Sequence, residues 1–459
     1  MRLVAFRKRL FKFDTEGRIL MYTIYETFVG AGGSHLGFKN HGFESRYIND
    51  FCHEALQTLL DNNPEIRKAV EEKRAVADET SIVDVDPKKI LRDTHMKPKE
   101  LDVLFGGIVC KGFSLAGERS PNDERNYFYH KQLEIVEVVK PKVSIIENVP
   151  GIQTAEVLAP NVPQHIADKV DEVWQELENY KGEKANLRKL NKITKEFERK
   201  GQLLRKQKEE LLQEIKNNGY LISVYDDILD LYNKLGYTVY KNVVNSACYG
   251  AATKRERVII IAIRNDVVKK MAKKTGKKEE EIFVFPEALC ADENLRKKYP
   301  YLYIDGHNYE KVKTVNDALS EIDYSDLSDI DNIPMQHAEK TVERFKYIPE
   351  GDNIANHIDE LPDELKISRF YSRGNTMRLN GDDASPTLVP GHSNFPIHPK
   401  EHRSITVREA ATITGFPTDY KFVGSHTKRC EEVGNAVPPP LSTAIAGKVK
   451  ELLDEYYSN

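Results

Sequence analysis

Apolar and polar positions follow several rhythms along this chain, and each predicts a different kind of element. In the first 150 residues, short Val/Ile/Leu-rich runs stand out: DVLF (102–105) and VSIIEN (143–148), joined through the amphipathic stretch YFYHKQLEIVEVVK (127–140). Runs this short, apolar on both faces and linked by a helix, are what a parallel sheet covered on both sides requires. TIYETFVGAGGSHLGFKNHG (23–42) reads as strand, glycine turn and helix start, with Ser34 placed to cap the helix. A second short strand opens YINDFCHEALQTLLDNNP (47–64) and ends at Asp50.

The rhythm changes after residue 160. Ile166, Val170, Val173, Leu177 and Tyr180 recur at spacings of four and three, a narrow helical stripe in a stretch dense in Lys, Glu and Gln. Leu187, Leu190, Ile193 and Phe197, then Leu203, Leu204, Leu211, Leu212 and Ile215, continue it past Gly182 and Gly201. This predicts a helical hairpin inserted at 155–232. Its acidic and basic residues interleave and largely cancel, which marks solvated surface rather than a clamp for nucleic acid. LGYTVYKNVVNSACYGAATKRERVIIIAIR (235–264) then gives two β-branched runs around a turn, and 266–400 has weak periodicity with frequent Gly, Pro, Asn and Asp. SITVREAATITGFPTDYKF (404–422) and EVGNAVPPPLSTAIAGKVKELLDEYY (432–457) restore order, the latter as a helix that starts at the prolines 438–440.

Charge adds little to this picture: Lys+Arg 68 against Asp+Glu 72 leaves no global basic field, so any contact with nucleic acid falls to local patches. The five cysteines are scattered without a CxxC pair, which points away from a disulfide framework or zinc site and toward a reducing cytoplasm. No apolar run is long enough for a membrane span. Residues 1–22, basic but without a small-residue cleavage site, are expected to be an N-terminal extension rather than a secretion signal.

The candidate chemistry lies where the two apolar runs end. Cys110 follows a Gly-Gly turn, where backbone and substrate can approach closely, and Glu147-Asn148 closes the second strand. A thiol and a carboxylate at the carboxyl edge of one sheet suit covalent catalysis at the place where open α/β sheets bind ligands. Against this stands the ordinary role of a lone cysteine, a small buried apolar residue. Asp50 is placed either to accept the ribose hydroxyls of an adenosyl cofactor or to stabilise a helix N-terminus. Arg255 and Arg257 alternate into a strand and share a face, suited to a phosphate or a structural carboxylate.

These motifs resemble those of the cytosine carbon-5 DNA methyltransferases. That family has a Gly-Gly-Pro-Pro-Cys-Gln-Gly-Phe-Ser loop and a Glu-Asn-Val strand end. This chain keeps Gly106, Gly107, Cys110, Gly112, Phe113, Ser114 and Glu147-Asn148-Val149, with Ile108-Val109 for the prolines and Lys111 for the glutamine. The ordered likeness covers roughly 23–150, 233–264 and 395–459. It implies an α/β, Rossmann-like, mostly parallel S-adenosylmethionine-dependent methyltransferase sheet: a catalytic domain over 23–265, a target-recognition domain over 266–400, and a return to the catalytic domain over 401–459. By resemblance, Cys110, Glu147, Asn148, Arg255 and Arg257 are catalytic, and Phe28, Gly30, Gly32, Asp50, Asp84 (preferred to Asp86), Gly107 and Asn435 bind S-adenosylmethionine, with no metal. The family's Gln-x-Arg-x-Arg motif has Thr253 for its glutamine here, and Glu26 stands where many relatives have Asp. The implied substrate is double-stranded DNA in a bacterial cytoplasm, within a restriction-modification system whose endonuclease forms no stable complex with this chain. Arg373, Asn375, Arg378 and Asn380 are the candidate base readers. Two other readings remain open at this point: a transfer-RNA methyltransferase of the same family, and a nucleic-acid-binding regulator whose catalysis is lost, suggested by Ile108-Val109, Lys111 and Thr253.

Overall fold

The computed structural model describes residues 21–108, 120–190, 192–367, 376–389 and 395–458. They form two compact units: Met1–Gly107 with Ile135–Glu147 and Tyr237–Asn459, and Ile108–Glu134 with Asn148–Gly236.

The first unit is built on a seven-stranded sheet. In chain order its strands are β1 (Tyr22–Thr27), β2 (Phe43–Asn49), β3 (Val76–Asp78), β4 (Val103–Gly107), β5 (Val143–Asn148), β8 (Tyr237–Asn245) and β9 (Glu256–Arg264), with two short strands of the second unit, β6 (Glu156–Leu158) and β7 (Leu221–Ser223), falling between. The order across the sheet is β3-β2-β1-β4-β5-β9-β8. The pairs from β3 to β5 are parallel, as the apolar runs predict, and every residue of β5 is buried. β8 and β9 are antiparallel. β9 returns along β5, because its last residue, Arg264, donates its N–H to Lys142 O at 3.0 Å while Arg257 near its start reaches Glu147. Strand order reverses between β1 and β4, whose carboxyl ends are adjacent through the pair Thr27↔Gly106. Such a reversal opens a crevice at the sheet edge.

Helices α1 (Gly33–Asn40) and α2 (His53–Asn62) follow β1 and β2, and α3 (Phe128–Val139) precedes β5. Ser34 does not cap α1. Gly32, in the left-handed region at φ 92°, is the capping residue, and the Ser34 hydroxyl instead reaches Glu26 Oε1 at 3.5 Å. Within 266–400, Phe345, Ile348, Ile354, Leu361, Leu365 and Ile397 form a cluster of their own, while other side chains join the cores of the rest of the first unit. Phe283, Tyr299 and Leu302 join Ile24, Val103, Val143 and Ile261, while Val315, Leu379 and Phe395 pack with Leu36, Ile405 and Ile413.

The second unit contains the expected hairpin, α4 (Gln164–Lys189) and α5 (Lys195–Asn217), closed at its base by antiparallel β6 and β7. Ile166, Val170, Leu177 and Tyr180 are buried as the stripe predicts, but Trp174 is in the core where Val173 is only half-buried. Leu190 and Leu203 are exposed, and the helices run unbroken through Gly182 and Gly201.

Three helices end the first unit: α6 (Val407–Thr414), α7 (His426–Asn435) and α8 (Pro439–Tyr457). The last returns to the first strand, with Tyr22 donating to Asp454 Oδ1 at 2.6 Å and stacking on Tyr457. It also crosses α1 at backbone distance, since a Cβ on Gly37 would lie 2.3 Å from the Ser442 carbonyl carbon. Gly37→Ala should therefore lower stability by about 2 kcal/mol, overpacking at a rigid backbone contact outweighing the roughly 1 kcal/mol gain in helix propensity. Urea unfolding monitored by circular dichroism checks this, and a variant as stable as the parent would contradict the close approach.

Candidate active site

The backbone after β1 turns through a sequence of left-handed residues, Phe28 (φ 53°), Gly30 (φ 54°) and Gly32 (φ 92°). For phenylalanine this region is sterically costly, so the surroundings hold the turn in place. One support is Asp50, immediately beyond β2, whose Oδ2 accepts the Gly30 N–H at 2.8 Å and whose Oδ1 accepts the Cys52 N–H at 2.9 Å. Burial raises the Asp50 carboxyl above its ordinary range against the pull of those two amides. A second support lies beneath: Glu26, fully buried, meets His35 Nδ1 at 2.8 Å and accepts from the Ser45 hydroxyl at 3.0 Å. Gly107, at the end of β4, faces this turn, where an added Cβ would lie 3.4 Å from Phe28 O and 3.8 Å from Glu147 Oε2. Asn435, exposed at the end of α7, precedes Ala436 and Val437, which pack on Gly33.

Asp84 follows the third strand by six residues. It lies exposed in a 3-10 turn, Ile82–Asp84, and Asp86 caps the next helix by accepting the Lys88 N–H at 2.9 Å. The acid at the carboxyl end of the third strand is Asp78, in register with Asn49, taking the Tyr47 hydroxyl at 2.8 Å and the Thr80 N–H at 2.9 Å. Phe51, directly after Asp50, is 69% exposed.

At the end of β5, Glu147 Oε1 meets Arg257 Nε at 2.6 Å, with side chains only 8% and 7% exposed. Arg257 also donates to Glu256 O at 2.7 Å. Arg255 has different partners: it donates to Gly434 O at 2.9 Å and Leu388 O at 3.4 Å, so its guanidinium serves main-chain carbonyls rather than facing outward for a phosphate. Thr253 donates to Pro386 O at 3.1 Å. In the second unit, Asn148 donates to Ile108 O at 3.2 Å and accepts the Val149 N–H at 2.8 Å, holding the start of the segment that leads to Cys110. Cys110 and Lys111 to Ser114 lie outside the described residues. Among the described cysteines, burial pushes the Cys248 thiol up to about 11 and the Cys430 thiol up to about 12, and raises Cys52 and Cys290. These are unreactive conditions for a nucleophile at neutral pH.

The family model for C-5 cytosine-specific DNA methylase matches residues 22–199 and 208–451. The chain belongs to that family. This methylase is 26% identical over 444 residues to the Type II methyltransferase M.Eco47II of Escherichia coli, covering 95% of this chain and 80% of the relative. It is 28% identical over 451 residues to the Type II methyltransferase M.AgeI of Thalassovita gelatinovora, covering 93% and 98%. Its fold is similar to that of an E. coli prophage-encoded protein assigned as a DNA modification methyltransferase (TM-score 0.58, 18% identity, 94% of this chain and 99% of that one). It is an enzyme that methylates carbon 5 of cytosine in DNA, and the relatives do not favour the transfer-RNA or non-catalytic readings.

Of the residues expected to read DNA, Arg373 and Asn375 lie outside the described residues, and Arg378 is corrected by its surroundings. Arg378 is buried and donates to the carbonyls of Phe345 and Ile348 (both 2.7 Å), His398 (2.7 Å) and Glu401 (2.6 Å), with His402 Nδ1 at 3.0 Å. A guanidinium spent on main-chain carbonyls has none of its fork left for a base edge. Asn380 is exposed and accepts the Asp382 N–H at 3.0 Å within a turn. Among the described residues no cluster of His, Cys, Asp and Glu is placed to hold a metal. Arg378→Ala is expected to cost about 3 kcal/mol or more, since several buried carbonyls lose a charged donor together. Thermal unfolding measures this, and a variant of parental stability that methylates an altered sequence would make Arg378 a base reader after all.

Proposed function

We propose that this methylase transfers a methyl group from S-adenosylmethionine to carbon 5 of a flipped-out cytosine in duplex DNA, with Cys110 as the nucleophile. It acts at a sequence read by loops within 266–400. The observation that carries the reading is Glu147, buried at the end of β5, with one oxygen held by Arg257 and the other turned toward Gly107. The cofactor assignment is tested by the edge itself. A left-handed turn exposing backbone, a cradle that a Cβ on Gly107 would narrow, a strand-end carboxylate at Asp50 and the exposed ring of Phe51 fit an adenosyl group. Phe28, Gly30, Gly32, Gly107 and Asn435 would line it, Asp50 would accept the ribose hydroxyls, Phe51 would offer its face to the adenine, and Asp78 rather than Asp84 would take the adenine amino group. S-adenosylmethionine, when bound, supplies the electrophilic methyl group.

The chain's own residues do the remaining work. Carbon 5 of cytosine is too weak a nucleophile unaided, so the Cys110 thiolate adds to carbon 6, and the new S–C bond makes carbon 5 electron-rich. Glu147 hydrogen-bonds or protonates ring nitrogen 3, where charge develops, with Arg257 fixing its orientation. After methyl transfer, loss of the carbon-5 proton lets the ring electrons expel Cys110. A thiol of ordinary pKa is only about 3% ionised at pH 7, and Lys111 is the adjacent cation able to increase that fraction. Flipping the base costs a few kcal/mol, recovered through protein contacts. Asn148 holds Ile108, at the start of the segment that leads to the nucleophile, and Arg255, the residue before β9, is tied to Gly434 of α7. The setting is a bacterial cytoplasm and a restriction-modification system, with a cognate endonuclease that forms no stable complex with this chain. Among the described residues no helix is long and apolar enough to cross a membrane.

Cys110→Ser should bind S-adenosylhomocysteine as the parent does yet methylate DNA at well under a tenth of its rate, and should fail to form the covalent adduct that the parent forms on DNA carrying 5-fluorocytosine. Glu147→Gln should lose about a hundredfold in rate. Adduct formation by the serine variant would refute the nucleophile. Separately, Asp50→Ala should weaken S-adenosylhomocysteine binding by about 1–3 kcal/mol in calorimetry, the scale of hydrogen bonds to a charged group. Unchanged affinity would leave Asp50 only as a support of the glycine turn.

A further inference from the structure

Glu432 lies on α7, three residues before Asn435, and is 6% exposed. Its Oε2 accepts the Thr58 hydroxyl proton at 2.7 Å, and Thr58 Oγ1 in turn accepts the Val423 N–H at 2.9 Å. Its Oε1 is buried and has no hydrogen-bond partner among the described residues. Thr58 belongs to α2, the helix that begins just after Asp50. One carboxyl therefore joins the helix behind Asp50 to the helix that ends in Asn435.

Among the described residues no cation forms an ion pair with this acid. Arg429, one turn back on α7, donates to Asp331 Oδ1 at 2.7 Å and to Ile330 O at 2.9 Å. Asp331 and Glu54 face Glu432 with negative charge of their own. Tyr420, the remaining titratable group that interacts with it, gives its hydroxyl proton to Ala31 O at 2.6 Å. Burial, added to by Asp331 and Glu54 and opposed by the Thr58 hydrogen bond and the charge of Arg429, pushes the Glu432 carboxyl up to about 8. Ionised, it would hold an unpaired charged oxygen away from water, and the relief open to it is to part α7 from α2 and let water in.

We propose that Glu432 is a positioning residue for the cofactor pocket that works only as the neutral acid, so that cofactor affinity falls when this carboxyl ionises. The inference rests on the reading that Asp50 and Asn435 flank the cofactor. The sign for stability is the same. The folded state keeps this proton from the ordinary carboxyl range up to about pH 8 while the unfolded chain releases it, so the contribution is largest at acid pH and is lost as pH rises to about 8.

The test is calorimetric binding of S-adenosylhomocysteine to the full chain and to Glu432→Gln between about pH 6.5 and 9.5. The ligand's own amino group titrates identically in both, so the ratio of the two dissociation constants isolates the protein's proton. That ratio should be near one at pH 7 and rise by up to tenfold per unit above pH 8, the parent weakening and the glutamine variant holding. Glu432→Met, without a proton to lose and without the Thr58 hydrogen bond, serves should the glutamine variant fold poorly: its ratio starts from its own value at pH 7 and should rise above pH 8 in the same way. A ratio that stays constant across the range overturns the proposal. Failure of the parent to bind at any pH overturns the cofactor reading and this inference with it, whereas binding with a constant ratio overturns the inference alone.

Discussion

The pairing of Glu147 with Arg257 is the constraint on which the carboxyl edge of the sheet depends. Both groups are nearly buried, and removing two charges from water is repaid only when they meet with good geometry; loss of either partner from such a pair costs about 3–5 kcal/mol because the other remains buried and alone. The pair joins the end of β5 to the start of β9, the place where the parallel part of the sheet gives way to its antiparallel edge. A carboxylate fixed at one oxygen can present the other in one direction. That restriction turns an acid at a strand end into an acid with an aim.

The glycine turn after β1 depends on more distant parts of the chain. Its helix α1 lies so close to α8 that Gly37 has no room for a side chain, and Gly33 is pressed by Val437. The start of the last helix and the residues just before it thereby hold the backbone that follows the first strand, while Asp50 and Glu26 support the turn as well. The edge is thus shaped by residues separated by some four hundred positions, brought together by close backbone packing and by the Ser442 hydroxyl, which donates to Gly33 O at 2.9 Å.

What was legible in the sequence follows from this. β4, β5 and the helix between them could be read because strands buried on both faces have no polar residues to confuse the pattern, and Asp50 because it ends a strand long enough to recognise. Asp78, the acid proposed for the adenine amino group, is not legible because β3 is three half-buried residues with no periodicity, which leaves Asp84 the more visible acid. Ser34 was read as a cap because serine usually is one, but here the left-handed Gly32 starts the helix earlier. Trp174 sits beside Val173 on the helix, and a stripe drawn at spacings of four and three selects one neighbour without knowing which way the partner helix leans. Arg378 is the plainest limit: an arginine spent on carbonyls up to thirty-three positions away looks, in sequence, like one waiting for DNA.

The buried acids of the first unit show why partners, not burial alone, decide what a carboxyl does. Asp331 has Arg408 and Arg429, Glu147 has Arg257, and Glu26 has His35 with Ser45. Asp50 has no cation but takes two backbone amides, which is partial compensation, and its carboxyl is raised. Glu432 has one threonine hydroxyl, and the arginine nearest it is already committed to Asp331. Glu432 thus keeps burial with the fewest donors, and there the proton takes the place of the missing partners. In the proposed mechanism Glu147, held at one oxygen by Arg257, faces the reacting base, whereas Glu432, with a single threonine hydroxyl, lies behind the proposed cofactor edge, where a neutral hydrogen bond joins two helices.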